Sequence, residues 1–354
     1  MSLLTGREVN VKCRAMYARL LGQGDYDALM SMKNVNQIAS YLKKQTPYAY
    51  VLRGIDENDV HRGQLERLFK RSLFYDYERL LKFTAGSYRS AIRAIFESYE
   101  VEDLKLVIGS VRSEHEKVLE AEDLAYIRAY SEIPTELLLG AETMEKLVEN
   151  LKGTRYYEPL LPFASDNRAD FLEIEHALNL LNYRSLTNAF KKTLRGAERG
   201  MMCGMFDTRA DIENIMFIYR TKKLFGLPVS ETALRLLPSD YKINKRELLD
   251  LAECADIGAM VERLGATYYG FLFPADRESE WESVHSGYFR DMNAGNIRGA
   301  GGGISAAYAY LYLKELDIKN IVMIIEGVRY SLPEDRIASF IIGRDKTPAI
   351  GAAG

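Results

Sequence analysis

Five glycines lie close together in this sequence, and a cluster of that kind can bind phosphate. They are Gly295, Gly299, Gly301, Gly302 and Gly303, and a helix is predicted to follow over residues 304–316. Backbone N–H groups at a helix N-terminus attract anions. However, the segment lacks the Gly-Lys-Ser/Thr ending of a nucleotide-binding loop, and no apolar strand precedes it. We interpret it as a flexible loop between domains.

Paired carboxylates are a second source of possible chemistry. Glu173 and Glu175, and likewise Glu280 and Glu282, are two positions apart. On a helix that spacing places the two side chains on different sides. It is typical of a solvated surface and not of an acid–base pair.

The cysteines and histidines are spread too widely for a zinc site or a disulfide framework. They are Cys13, Cys203, Cys254, His61, His115, His176 and His285. No serine or cysteine lies in a nucleophile-elbow context. The sequence therefore predicts no catalytic set, no metal and no cofactor.

Composition and charge restrict the class of protein. The 354 residues include 47 Lys plus Arg and 50 Asp plus Glu, for a net charge of −3. That balance disfavours nucleic acid as a main partner. The first residues lack the apolar core of a signal peptide, and no window approaches the ~20 apolar residues that span a bilayer.

Apolar residues recur with helical spacing along most of the chain, which predicts a nearly all-α protein. The clearest amphipathic segments are residues 64–83 and 171–192. Proline should interrupt the helices because it lacks a backbone donor and clashes with the preceding turn. The predicted breaks are at Thr46-Pro47, Ile133-Pro134, Leu227-Pro228, Leu237-Pro238, Phe273-Pro274 and Leu332-Pro333.

Two unrelated patterns each occur three times. The first is Thr-x-Tyr just after a leucine, at Thr46 and Tyr48, Thr154 and Tyr156, and Thr267 and Tyr269. The second is centred on Asp103, Asn214 and Asn320. Both recur at intervals of about 110 residues, which predicts three helical units at 1–125, 126–235 and 236–354.

The second pattern has the form of a helix with a buried stripe and a basic end. Apolar residues stand two before, one after and five after its centre, which matches the 3.6-residue period. Nine residues after the centre comes a cation, at Arg112, Lys223 and Arg329. Such a cation can simply complement the helix dipole, or it can contact a partner.

The tyrosines have a simple structural interpretation. We expect each to be a helix-start or corner residue, with its ring buried and its hydroxyl bonded to a backbone group. The threonines, tyrosines and Asp/Asn centres are thus interpreted as structural residues.

Residues 211–223 and 315–327, together with the three-fold repeat and the Thr-x-Tyr patterns, resemble the C subunit of the prokaryotic V-type (A-type) ATP synthases. The eukaryotic counterpart in that family is the d subunit of the V-ATPase. The resemblance extends over about residues 20–337. It implies three similar helical domains that form a funnel with pseudo-three-fold symmetry.

The resemblance also implies a non-catalytic rotor subunit in the central stalk, present in one copy. It would lie on the cytoplasmic face of the membrane proteolipid ring and receive the D and F subunits of the axle. It would thereby couple ATP synthesis or hydrolysis to H⁺ or Na⁺ transport. If the helices ending at Arg112, Lys223 and Arg329 line the funnel, these cations face the axle or the ring.

Two other classes remain open at this stage. A cytosolic helical-repeat adaptor is one, although common solenoids repeat every ~30–45 residues. An all-helical enzyme is the other, and it would need a pocket with converging titratable groups.

Overall fold

The computed structural model describes residues 6–57, 62–113, 119–165, 171–299 and 303–343. Every regular element in these ranges is a helix or helical turn, and none is a strand. The predicted all-α fold class is therefore confirmed.

The helices differ greatly in length, and the three longest carry the second repeated pattern. In chain order the α-helices are α1 (Gly6–Tyr17), α2 (Gln23–Met30), α3 (Val35–Gln45), α4 (Arg62–Phe83), α5 (Gly86–Val111), α6 (Ala125–Tyr130), α7 (Thr135–Leu139), α8 (Met144–Asn150), α9 (Tyr157–Leu160), α10 (Phe171–Thr193), α11 (Gly196–Arg220), α12 (Val229–Arg235), α13 (Lys245–Glu253), α14 (Ile257–Gly265), α15 (Trp281–Arg298), α16 (Gly303–Arg329) and α17 (Glu334–Phe340). A 3₁₀ turn lies at Pro47–Tyr50 and a π-helical turn at Thr221–Phe225. The helices predicted at 64–83 and 171–192 correspond to α4 and α10.

All six predicted proline breaks lie outside the α-helices. At the first, α3 ends at Gln45 and Pro47 begins the 3₁₀ turn. At the last, α16 ends at Arg329, and Pro333 is the N-cap of α17. Proline suits these positions because its fixed φ fits a helix start and its missing N–H is not needed there.

One compact unit combines the two ends of the chain, Met1–Phe83 and Ser279–Gly354. Its central element is the 27-residue helix α16, against which α1, α4 and α15 pack. Most of α16 is buried, as expected for a helix that is apolar on nearly every side.

The second compact unit is Thr84–Glu278. In it α5 and α11 both pack along α10, and α11 also contacts α13. The first residues of the two long helices, Gly86 and Gly196, both have a φ of 55°. Glycine adopts this left-handed conformation without strain, so the chain can turn sharply before each long helix.

The predicted buried stripe is confirmed on all three long helices. Its nine residues are at most 8% exposed: Val101, Leu104 and Ile108 on α5, Ile212, Ile215 and Tyr219 on α11, and Ile318, Ile321 and Ile325 on α16. Full burial of an aliphatic side chain of this size contributes roughly 1.5–3 kcal/mol. The stripe therefore anchors each long helix in a core.

The prediction of a loop between domains at the glycine cluster is wrong for Gly295 and for the interdomain position. Helix α15 continues through Gly295 to Arg298, and Gly299 caps it. The helices on either side, α15 and α16, belong to one unit and pack on each other, which offsets the low helix propensity of glycine. Gly303 begins α16, one residue before the predicted start, and a Cβ there would lie 2.6 Å from the backbone oxygen of Gly6. Gly301 and Gly302 lie outside the described residues.

Candidate functional site

The tyrosine of each Thr-x-Tyr pattern donates a hydrogen bond to a carboxylate on a long helix. The contacts are Tyr156 to Glu100 at 2.5 Å on α5, Tyr269 to Asp211 at 2.8 Å on α11, and Tyr48 to Asp317 at 2.6 Å on α16. Each carboxylate stands three residues before Asp103, Asn214 or Asn320. The two sequence patterns are therefore joined physically, in what we call tyrosine–carboxylate junctions.

The three tyrosine rings are buried, each at most 1% exposed. The expectation that their hydroxyls bond to backbone groups is wrong. A carboxylate lies within reach of each hydroxyl, and hydrogen bonds to a charged acceptor are roughly twice as strong as neutral ones. The recurring acidic residue was visible in the sequence, and it was the signal that sequence reasoning missed.

Two of the carboxylates are almost completely buried, and each receives three hydrogen bonds. Besides Tyr269, Asp211 accepts from the Ser239 hydroxyl at 2.5 Å and from the Lys242 backbone N–H at 2.9 Å. Several donors of this kind are what a buried charge requires.

Asp317 accepts from Tyr48, from the Tyr26 hydroxyl, and from the Leu21 backbone N–H at 3.3 Å. Burial raises the pKa of Asp317. Burial, and then the negative charge of Asp317, raise the pKa of Tyr48 well above its usual range. The proton therefore stays on the phenol, which acts as a donor.

Asp103, Asn214 and Asn320 each hold a backbone segment 22 to 24 residues further along the chain. Asn214 accepts from the Leu237 N–H at 2.7 Å and donates to the Leu237 carbonyl at 2.9 Å. Asn320 makes the same pair of bonds with Ile342, at 3.1 and 2.9 Å.

The Asp103 carboxylate has no N–H group to donate. It accepts two hydrogen bonds instead, from the backbone N–H groups of Tyr126 and Ile127 at 2.8 and 2.9 Å. We call these three contacts backbone clamps.

The threonines of the Thr-x-Tyr patterns stabilise local turns. The hydroxyl oxygens of Thr46 and Thr154 accept from the backbone N–H of Tyr48 and Tyr156, both at 3.2 Å. The Thr267 hydroxyl donates to the Leu264 carbonyl at 2.8 Å. Each threonine thereby helps to fix the corner from which the buried tyrosine projects.

The three predicted cations lie at the ends of three different helices, in different surroundings. Arg112 is half-buried and is the C-cap of α5. Lys223 lies in the π-helical turn after α11, where its Nζ is 2.9 Å from the Glu278 carboxylate and also bonds to the Tyr219 hydroxyl. Arg329 is the last residue of α16 and is exposed, with its guanidinium 5.2 Å from the centre of the Tyr330 ring.

The carboxylates at Glu173 and Glu175 are not on a solvated surface as expected. Both are half-buried, and they pair with separate cations, Arg235 at 2.7 Å and Lys105 at 3.6 Å. They do face different partners, as their spacing predicts. The other pair, Glu280 and Glu282, is exposed.

The described residues contain no group of three or more histidines, cysteines, aspartates or glutamates placed to hold a metal ion. His61 and His115 lie outside those residues. Over the same part of the chain, no helix combines the length and apolar character needed to cross a membrane.

A family model described as the ATP synthase (C/AC39) subunit matches residues 9–340. The chain belongs to this family. Similar proteins of this family include the A-type ATP synthase C subunit of Methanosphaera stadtmanae, 22% identical over 94% of this chain and 86% of that protein. That of Archaeoglobus fulgidus is 22% identical over 92% of this chain and 93% of the relative. The A-type ATP synthase C subunit of Methanosarcina mazei is 26% identical over 79% of this chain and 72% of that protein.

Membership of the ATP synthase subunit family argues against one class left open by the sequence, the unrelated adaptor. An adaptor protein unrelated to rotary ATPases is no longer needed to explain the repeat. The tyrosine–carboxylate junctions and the backbone clamps are then recurring structural contacts of an ATP synthase subunit fold.

Proposed function

We propose that this chain is a non-catalytic central-stalk subunit that joins the axle subunits to the membrane proteolipid ring. It lies on the cytoplasmic face of the ring, in one copy, and it couples ATP synthesis or hydrolysis to H⁺ or Na⁺ transport. The proposal is supported by the family match over residues 9–340 and by relatives that share nearly their whole length with this chain.

The tyrosine–carboxylate junctions are the structural observation that best supports an arrangement of three equivalent repeats. With repeats at 1–125, 126–235 and 236–354, Tyr156 of the second repeat contacts the first, and Tyr269 of the third contacts the second. Tyr48 of the first repeat contacts Asp317 of the third. Each tyrosine thus contacts a carboxylate that belongs to a different repeat, and this regular offset supports the proposal of three equivalent domains with pseudo-three-fold symmetry.

A subunit that transmits torque must resist deformation. The long helices are braced at two levels, because each has a junction and, three residues further on, a backbone clamp. Close-packed interiors transmit strain because they have low compressibility. These contacts suit a part that passes rotation from one partner to another.

The cations at the ends of three helices are candidates for the surface that contacts the partner subunits. We propose that Arg112, Lys223 and Arg329 contact the axle subunits or the polar loops of the ring. Charge complementarity at such a surface favours specificity and fast association more than affinity. The alternative role of these cations is to cap their own helices, which is worth about 0.3–1 kcal/mol each.

The test is a binding experiment with purified full-length chain. Detergent-solubilised proteolipid ring and purified axle subunits are each immobilised, and capture of the chain is measured. We expect both to retain the wild-type chain. We expect the triple variant R112Q/K223Q/R329Q to lose at least ten-fold in association rate at low salt.

The matched control carries the same loss of charge at three exposed cations elsewhere, K33Q/R89Q/K152Q. It should bind like the wild type. Failure of the wild-type chain to bind either partner would overturn the proposed function. Normal binding by R112Q/K223Q/R329Q with a lowered melting temperature would assign these three residues to helix capping.

A further inference from the structure

A cavity of about 290 Å³ opens in the unit formed by the two chain ends. Its lining includes Arg19, Asp76 and Arg79, the 3₁₀ turn residues Tyr48 and Tyr50, and Lys314. We call it the Lys314 cavity. None of the repeated patterns requires it, and the family resemblance does not assign it a role.

Lys314 is 4% exposed, yet within the described part of the chain its ammonium makes no hydrogen bond and no ion pair. Its Nζ lies 3.7 Å from the centre of the Tyr48 ring. The charged groups that influence it are Asp76 from α4, Asp317 from α16, and Arg19. Lys314 lines the cavity, so an anion bound there would supply the oxygen acceptor that the described residues do not provide.

The two arginines at the cavity are also without acceptors. Among the described residues, neither Arg19 nor Arg79 has an ion pair or a side-chain hydrogen bond, and both are exposed. Arg19 is near enough to Lys314 to contribute to lowering the Lys314 pKa. Asp76, the one carboxylate among the described lining residues, accepts a hydrogen bond from Tyr310. Three cations thus surround one carboxylate.

A cavity of similar volume in the other unit shows what a self-contained charge arrangement looks like. It measures about 270 Å³, and Lys105 in its lining pairs with Glu102 at 3.0 Å and Glu175 at 3.6 Å. There the cation has its acceptors within the chain. In the Lys314 cavity the acceptors are missing from the described residues.

The repeat itself does not call for a lysine at this position. Lys314 stands six residues before Asn320, and the corresponding residues of the other repeats are Glu97 and Thr208. A residue needed only to hold the long helix in place would be expected to recur with the junctions. Its occurrence in one copy points to a ligand for that copy alone.

We propose that the Lys314 cavity binds the phosphate group of a small molecule. Arg19 and Arg79 bind its oxygens from the mouth of the cavity, and Lys314 binds from the inside. Guanidinium forks match phosphate oxygens well, and a dianion balances three cations and one carboxylate. The phosphate group can be inorganic phosphate or the end of a nucleotide, and the experiment below distinguishes these sources.

The test is calorimetric titration of the full-length chain with inorganic phosphate and, separately, with ATP, at constant ionic strength set by chloride. We expect saturable one-to-one binding of at least one of them. R19Q/R79Q should weaken that binding at least ten-fold. R89Q/R93Q, which removes two exposed cations of α5, should leave it unchanged.

Three outcomes are informative. Binding of phosphate as tight as that of ATP assigns the cavity to the free ion, and ATP binding at least ten-fold tighter assigns it to a nucleotide. No saturable heat with either, or full binding by R19Q/R79Q, would overturn the proposal.

A second readout uses sulfate, whose charge does not change between pH 7 and 9. Burial lowers the pKa of Lys314 to about 8, so the ammonium is lost across this interval. The titratable and charged groups that face it are Asp76, Asp317, Tyr48, Tyr50, Tyr310, Arg19 and Arg79. Sulfate affinity should therefore fall several-fold in the wild type and stay flat in K314M. An unchanged wild-type affinity would contradict the role given to Lys314.

Discussion

The junctions at Tyr269 and Tyr48 share one contact and differ in what surrounds it. In both, a buried phenol donates to a buried aspartate on a long helix, and two further donors complete that aspartate. Beside the Tyr48 junction a buried lysine lies over the tyrosine ring. The equivalent helix position beside Tyr269 is occupied by Thr208, a buried neutral residue.

This difference separates two kinds of residue in the chain. The threonines, tyrosines, carboxylates and Asp/Asn centres that recur at about 110-residue intervals make contacts within the protein and hold the long helices. Groups present in one repeat only, such as Lys314, are free to bind something else. We therefore expect substitutions of the recurring contacts to change the stability of the fold. We expect substitutions of Lys314 to change how stability depends on nearby charge and on pH.

Removal of the shared acceptor should have the largest effect. Asp211→Ala and Asp317→Ala each leave two buried donors and one partly buried donor without this acceptor, and we expect each to lower the free energy of unfolding by about 3–5 kcal/mol. Asp317→Ala should cost more, because Lys314 then loses a facing carboxylate. Urea denaturation measures both.

A double-mutant cycle sharpens this expectation. Asp317→Ala combined with Lys314→Met should cost less than the sum of the two single changes, because the buried ammonium is removed together with its facing charge. Strictly additive costs would show that Lys314 and Asp317 do not interact.

Exchange of Asn for Asp, or of Asp for Asn, in the backbone clamps should lower the free energy of unfolding by a smaller amount. The loss should differ between the two directions of exchange. Asn214→Asp places a carboxylate against the Leu237 carbonyl and removes a donor, so we expect a loss of about 2–3 kcal/mol. Asp103→Asn keeps one acceptor for its two N–H groups and should cost about 1 kcal/mol. Equal losses in thermal denaturation would mean that the clamp chemistry is not specific.

The pH dependence of stability should distinguish the two junction surroundings. The pKa of Lys314 is lowered to about 8 in the folded chain, whereas an unfolded lysine titrates near 10.4. Between these values the unfolded state binds more protons, so stability should rise with pH. We expect about 2 kcal/mol from Lys314 between pH 8 and 9.5.

The measurement is the difference between the wild type and Lys314→Met in urea denaturation at each pH. This difference cancels the buried Cys13 thiol, whose pKa is raised to about 12 and which lowers stability with rising pH in both proteins. Lys33→Met, at an exposed position, is the control. A difference that does not change with pH would contradict the burial argument.

Much of the fold follows from the sequence because it depends on local chemistry. Helical periodicity predicted the all-α class and the buried stripe, and the positions of the prolines predicted the breaks between helices. The partner of each tyrosine could also have been predicted, since Glu100, Asp211 and Asp317 recur in register. The helix through Gly295 was missed because packing of α15 on α16 overrides the propensity of glycine.

The Lys314 cavity could not be predicted from the sequence. Arg19, Arg79 and Lys314 come from separate parts of the chain, and only the packing of α4 and α16 with the residues around them places the three at one cavity. Each alone has the appearance of an ordinary charged residue. Whether a cation has an oxygen acceptor nearby depends on the residues that folding places around it, so it could not be predicted from the sequence.

The proposal that this chain couples two partners is tested most directly by transport in reconstituted vesicles. Complexes assembled with and without the chain are supplied with ATP, and ATP hydrolysis and ion uptake are measured together. We predict that omission abolishes ATP-driven ion uptake while hydrolysis by the catalytic head continues, and that added chain restores uptake. Equal uptake per ATP hydrolysed with and without the chain would contradict the account.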